Sequence, residues 1–181
     1  VAADLIAQAE HDVNAQSILI TNDKNLINLV NTSLKKQLKK LPKKKIATQS
    51  LKKFGLAIFA INKKSILKSI NTIAPEHLEL YTNINTEIIK GIKNAGSIFI
   101  GKFSPEAIGD YIAGPNHVLP TSGSARFSSG LSVNDFLKRH SLIKIIKTGI
   151  ERLGSSVINL AKHENLDGHA NSVKIRLKKE N

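Results

Sequence analysis

Cysteine is missing from the chain altogether, and so are methionine and tryptophan. Without a thiol there is no disulfide, no thiolate metal site and no cysteine nucleophile within these residues. A reducing, cytoplasmic setting is compatible with that lack. Two Tyr and six Phe bring the aromatics to only 4%, so the apolar load falls on Ile, Leu, Val and Ala. No stretch comes near the roughly 20 apolar residues a membrane-spanning helix needs, and no membrane partner is expected. A basic start followed by an apolar run and a small-residue cleavage site is not visible either. With no methionine at its start or elsewhere, the chain reads as a piece of a longer polypeptide. Its 181 residues suffice for one sizeable domain, or one domain with a small appendage, and 41% hydrophobic content does not suggest disorder.

Arginine is scarce as well. The formal charge of +13 would suit a phosphate-rich partner, but of 27 basic residues only Arg126, Arg139, Arg152 and Arg176 are arginine, and 23 are lysine. Arginine is the side chain fitted to bidentate contact with bases and phosphates. The densest run, Lys35 to Lys45, also has an ordinary explanation. Leu26, Val30, Leu34, Leu38 and Leu41 recur at helical spacing, which places the lysines on a solvated face. We therefore expect no nucleic-acid partner, and a basic nucleic-acid-binding module stands as the alternative to be tested by salt dependence.

Read along its length, the chain alternates helices and strands. Ala2 to Glu10 predicts a helix and Ser17 to Thr21 a short buried strand. Asp23 sits where an N-cap belongs, ahead of an amphipathic helix ending near Leu41, with Pro42 as its stop. Strands are expected at Leu56 to Ile61, Leu78 to Tyr81 and Ser97 to Ile100, with helices at Lys63 to Ile73 and Thr86 to Ile92 between them. That alternation argues for an α/β fold, helices around a mainly parallel sheet. Residues 101–130 are rich in Gly, Pro and Ser, a loop too long for a compact domain unless it serves a site. Beyond it, Ser132 to Phe136 reads as a strand, Ile143 to Lys162 as a helix, Glu164 to Gly168 as a turn and Ala170 to Lys178 as a last helix. The expected organisation is a domain over residues 1–140 and a small helical tail over 141–181.

The chemistry-bearing residues fall in a few short patterns. Gln8 and His11 stand three apart, on one face of a helix, where an amide oxygen and an imidazole can converge on an ion, although such a pair is more often two polar residues facing solvent. Glu76 and His77 lie in Pro75-Glu-His-Leu78. Neighbours on an extended chain face opposite ways, so both line a site only at a bend, which Pro75 makes available; otherwise the pair is a surface Glu-His at a strand start. Histidine is the side chain most easily used as a base near neutral pH. In the Gly-rich stretch Asp110 is a candidate hard ligand and His117 a second polar group, and the tail adds Glu164 and His169.

Taken in order, Gln8-Ala-Glu-His11, Pro75-Glu-His-Leu78, Ser104-Pro-Glu with Gly109-Asp-Tyr111, Gly114-Pro-Asn-His-Val-Leu-Pro-Thr121 and Leu166-Asp-Gly-His169 resemble the carboxy-terminal part of histidinol dehydrogenase. The resemblance runs from Ala2 to about Leu177, and the Gly114 to Thr121 and Pro-Glu-His-Leu elements are its specific markers. It implies an incomplete Rossmann-like, aldehyde-dehydrogenase-like domain and an NAD-dependent, zinc-containing enzyme of histidine biosynthesis. It places zinc on Gln8, His11, Asp110 and His169, and catalysis on Glu76 and His77. It places L-histidinol against Gln8, His11, His77, Asp110, His117, Glu164 and His169. It also implies a homodimer in which His169 and Glu164 enter the other subunit's site, so that the tail is a dimerisation unit. The chain departs from the family in length. The main NAD-binding region and an upstream substrate-contacting serine are missing, so the chain alone is expected to be inactive. The alternatives are a relative acting on another amino alcohol or aldehyde, and a non-catalytic, metal-binding fragment of a truncated gene.

Overall fold

The computed structural model of the chain describes residues 1–42, 44–81 and 86–177. They divide into two compact units, Val1–Phe136 and Leu137–Asn181. Lys178, the expected end of the last helix, lies outside the described residues.

The first unit begins with helix α1 (Ala2–Ala9), which buries Ala2, Ile6 and Ala9, and continues into strand β1 (Ile18–Thr21). Asp23 then caps α2 (Lys24–Leu38), its carboxylate accepting from the Asn25 N–H at 2.8 Å. Val30 is buried and Leu26, Leu34 and Leu38 are half-buried, whereas Lys35, Lys36, Lys39, Lys40, Lys44 and Lys45 are exposed, the solvated face expected of that run. A separate helix, α3 (Lys44–Phe54), follows Pro42 where the sequence reading stopped. Its signal is Ile46, Ala47, Ser50, Leu51 and Phe54 at helical spacing; Ala47 and Ser50 are fully buried, and the Ser50 hydroxyl donates to the Ala15 carbonyl at 2.9 Å. Strand β2 (Leu56–Phe59) returns beside β1 in parallel, with Ile18 opposite Leu56.

Helix α4 (Lys63–Ile73) opens with a reciprocal cap between Asn62 and Ser65 and ends at Ala74, whose φ of 52° is left-handed. Strand β3 (His77–Leu80), helix α5 (Thr86–Gly91) and strand β4 (Ser97–Ile100) complete a second parallel pair, with His77 opposite Ser97 and Glu79 opposite Phe99. Asn71 holds this crossover in place. Its amide donates to the Gly91 carbonyl at 2.9 Å, and its oxygen accepts from the N–H groups of Lys93 and Asn94 at 2.7 and 3.2 Å. The fold is thus mixed α/β, and among the described residues its parallel strands form two two-stranded sheets.

Two expectations fail between residues 101 and 136. The long loop contains a helix, α6 (Glu106–Tyr111), started by Pro105 and an acidic first turn. Gly109 belongs inside that helix, because a Cβ there would lie 2.5 Å from the Phe99 ring. Ser132 to Phe136 is not a strand; Val133–Phe136 is a short 3₁₀ turn. The Asp135 carboxylate accepts from both the N–H and the hydroxyl of Ser132, at 2.7 and 3.2 Å, and this local closure replaces strand pairing.

The second unit is a helical hairpin of α7 (Lys147–His163) and α8 (Asp167–Leu177). Gly154, midway along α7, faces Val173 and Leu177 toward the far end of α8, so across the short turn the two helices run antiparallel. Asn165, with φ of 59°, makes the turn between them. Helix α7 starts four residues later than expected, since the Ile143, Ile145 and Ile146 cluster is β-branched and resists helix. Helix α8 starts at Asp167, inside the expected turn. Among the described residues no helix is long and apolar enough to cross a membrane.

Candidate functional site

Three separated segments of the first unit meet around one imidazole. His77 opens β3, and Glu76 just before it stands at a bend, as Pro75 suggested. The Gly96 N–H donates to the Pro75 carbonyl at 2.9 Å and the Ser97 N–H to the Glu76 carbonyl at 2.8 Å, so β4 already grips the chain there. The His77 ring is nearly buried and leans on Phe99, centroids 6.0 Å apart and planes at 45°. Nδ1 of His77 faces Glu106 Oε1 at 3.4 Å, and Nε2 faces Asp110 Oδ1 at 3.5 Å. Both contacts have ion-pair spacing, but neither buried nitrogen makes a hydrogen bond.

Asp110 and Glu106 lie one turn apart on α6, so they share a face. His11 joins them from the turn after α1, which ends at Ala9, its Nε2 3.9 Å from the same Glu106 oxygen. Gln8 is half-buried on α1, and its carbonyl accepts from the His11 N–H at 3.4 Å. The donor atoms of His11, Glu106 and Asp110 all lie within 4.8 Å of one another, which is close enough to share one cation. Such a set of imidazole and carboxylate donors suits zinc, and the two unpartnered nitrogens of His77 mark a polar site rather than a packed core.

Glu106 is the residue that sequence reasoning missed. It appears above only inside the Ser104-Pro-Glu marker, where it looks like an ordinary acidic residue in a first turn. In the fold it is 6% exposed, and its backbone N–H donates to Glu79 Oε1 at 2.8 Å. Burial first, then the charges of Asp110, Glu79, Glu76 and Asp4, push its carboxyl up to about 7. Burial also raises Glu79, although the hydrogen bond from Glu106 opposes it. A cation would relieve this crowding of acids.

His117 is exposed and lines an open cleft of about 430 Å³ together with Asp110, Ser97, Ser104 and Phe99. Glu164 and His169 are exposed residues of the second unit, at the end of α7 and in the first turn of α8.

A family model described as histidinol dehydrogenase matches residues 1–177. The histidinol dehydrogenase of Caldanaerobacter subterraneus is 52% identical over 176 residues, covering 97% of this chain and 41% of its own length. That of Pelagibacter ubique is 52% identical over 179 residues, 99% of this chain and 42% of its own. The crystal structure of histidinol dehydrogenase from Elizabethkingia anophelis superposes with a TM-score of 0.87 at 39% identity, over 97% of this chain and 40% of that one. The chain therefore spans about two fifths of the relatives it matches.

Proposed function

Because the chain belongs to the histidinol dehydrogenase family, we propose that it forms the metal- and proton-handling part of a cytoplasmic enzyme of histidine biosynthesis. That enzyme oxidises L-histidinol, through the aldehyde, to L-histidine with NAD. The observation that carries the reading is the cluster of His11, Glu106 and Asp110, whose donor atoms lie within 4.8 Å of one another, with His77 set 3.4 and 3.5 Å from the two carboxylates.

In this reading Gln8, His11, Asp110 and His169 hold zinc. Zinc bound there would supply a Lewis acid to hold and orient the substrate, and NAD would supply the hydride acceptor. His77 takes the hydroxyl proton as the carbinol carbon gives up that hydride. For the second oxidation a water adduct of the aldehyde is the natural route, as these residues offer no thiol of their own to capture it. Glu76, at the bend just before His77, takes a proton from the water that adds. His117, at the cleft beside Asp110, contacts the substrate.

Glu164 and His169 complete the site of a second subunit. The second unit fits that role physically, since it leaves Leu142, Ile143, Ile146 and Leu160 between 64% and 95% exposed, too much apolar surface for a hairpin meant to stand alone. NAD binding rests on the part of the family length that this chain does not span, and the chain alone does not turn over.

Calorimetric titration of L-histidinol into the chain, with zinc supplied and then chelated, tests the reading. Zinc-dependent binding that is lost in Asp110→Ala and His169→Ala is expected. Binding indifferent to zinc, or unaffected by both substitutions, would remove the metal assignment.

A further inference from the structure

Glu106 stands in the donor cluster but has no assigned part in the reaction, although no carboxylate in the described site is more buried. Its Oε1 stands 3.4 Å from His77 Nδ1, and its side chain is 7% exposed. Its main chain is fixed by Glu79, whose Oε1 accepts its N–H at 2.8 Å. The carboxylate on the other side of the ring is different. Asp110, 3.5 Å from Nε2, is 21% exposed and lines the open cleft with His117.

A neutral imidazole carries one N–H and one lone pair, and it acts as a base only at the nitrogen that bears the lone pair. The partner at the other nitrogen therefore decides which atom faces the substrate. Both partners of His77 are acceptors, so a difference in how firmly each is held breaks the tie. Glu106 is anchored behind the ring, and Asp110 lies on the cleft side.

We propose that Glu106 is a positioning residue for His77. Its carboxylate accepts from Nδ1–H, fixes the ring against Phe99, and leaves the Nε2 lone pair on the cleft side, where the substrate's proton is taken. This deepens the assignment of His77 as the base and rests on it. Glu106 touches neither the substrate nor the hydride path, so its effect passes entirely through the imidazole. The loss expected without it is about 10- to 100-fold, by analogy with carboxylates that orient metal-bound imidazoles.

The tautomer of His77 reads the contact without any need for activity. With ¹⁵N-labelled histidine at about pH 8, above the ordinary imidazole range, multiple-bond proton–nitrogen correlation should show His77 as the Nδ1–H form. Glu106→Gln is isosteric, but its amide can donate as well as accept. In that variant the Nε2–H form should appear, with the Phe99 ring contacts retained. In the full-length enzyme the same variant should lose about 10- to 100-fold in kcat with little change in KM for L-histidinol.

An Nε2–H tautomer in the unsubstituted chain would overturn the proposal, and so would an unchanged tautomer in Glu106→Gln. Loss of zinc affinity in Glu106→Gln equal to that in His11→Ala would also overturn it, by making Glu106 a ligand. If turnover survived His77→Gln, the base assignment would fall while an Nδ1–H tautomer would still sustain the Glu106 contact, so the two failures are distinguishable.

Discussion

The Cα of Gly96 closes so tightly on the Glu76 carbonyl that a Cβ at position 96 would lie 2.6 Å from that oxygen. Two backbone hydrogen bonds, Gly96 to Pro75 and Ser97 to Glu76, draw the strands together at this point. The bend at Glu76, just before His77, thus depends on a missing side chain one strand away. Gly96→Ala forces the backbones apart, and the atom in the way is main chain, which cannot swing aside. The Pro120 ring, 3.2 Å from the same point, blocks the other escape. We expect a loss of about 1–3 kcal/mol in urea unfolding, with amide shifts concentrated at Glu76 and Ser97. A variant as stable as the parent would show that the strands can separate freely.

Asn71 should be equally sensitive for a different reason. Its side chain makes three hydrogen bonds to the backbone around residues 91–94, the segment that delivers β4. Its own carbonyl accepts a fourth from the Asn94 amide. Asn71→Ala deletes the three side-chain bonds and leaves two N–H groups and a carbonyl in need of partners, at a cost of about 2–3 kcal/mol. Asn71→Asp keeps the acceptor and loses only the donor to Gly91, so its cost should be clearly smaller. Chemical denaturation of both variants separates the outcomes, and equal losses would contradict the division of roles.

Helix α4, strand β4 and the Asp23 cap were legible because local pattern alone sets them: a stop at each end, apolar residues at one period, and a capping side chain. The parallel pairing was legible from alternation, since a strand followed by a helix and another strand has few other ways to pack. Helix α3 was missed because Pro42 and the surrounding lysines mask a short stripe that contains Ala47 and Ser50, small residues with little hydrophobic signal. Helix α6 was read as loop because residues 101–130 are rich in Gly, Pro and Ser, and the close fit of Gly109 against the Phe99 ring is visible only in the fold. Within the candidate site, His11, His77 and Asp110 stood out as residue types. Glu106 did not, because its importance comes from burial among other acids, and burial belongs to the fold.

Gly109 and Phe99 set two effects against each other. Replacing an interior helical glycine with alanine normally gains about 1 kcal/mol. Here the added methyl meets the Phe99 ring at 2.5 Å, and that ring leans on His77. The clash should win, because the ring has the imidazole behind it, and Gly109→Ala should be destabilising by about 1–2 kcal/mol. Trimming the ring relieves the clash, so Phe99→Leu should be less harmful in the Gly109→Ala background than alone. A double-mutant cycle measures the coupling, and simple additivity would mean that the two sites do not press on each other.

The pH dependence of stability follows from Glu106. Its carboxyl is raised from an ordinary 4.5 to about 7, chiefly by burial and then by Asp110, Glu79, Glu76 and Asp4. Between those two values the folded chain keeps a proton that the unfolded chain has already released. The unfolded state then binds fewer protons, so stability falls as pH rises across that window. Glu79, raised in the same direction, adds to the slope. In chelator-treated protein the urea midpoint should therefore decline from about pH 4.5 to about pH 7. Glu106→Gln cannot ionise and should flatten most of that decline, leaving the smaller part due to Glu79. Zinc held beside Glu106 would favour the carboxylate and weaken or reverse the slope. Midpoints measured along the pH series, with chelator and with zinc, thus report on the same carboxyl in two charge environments. A metal-free slope unchanged in Glu106→Gln would show that this carboxyl does not carry the proton.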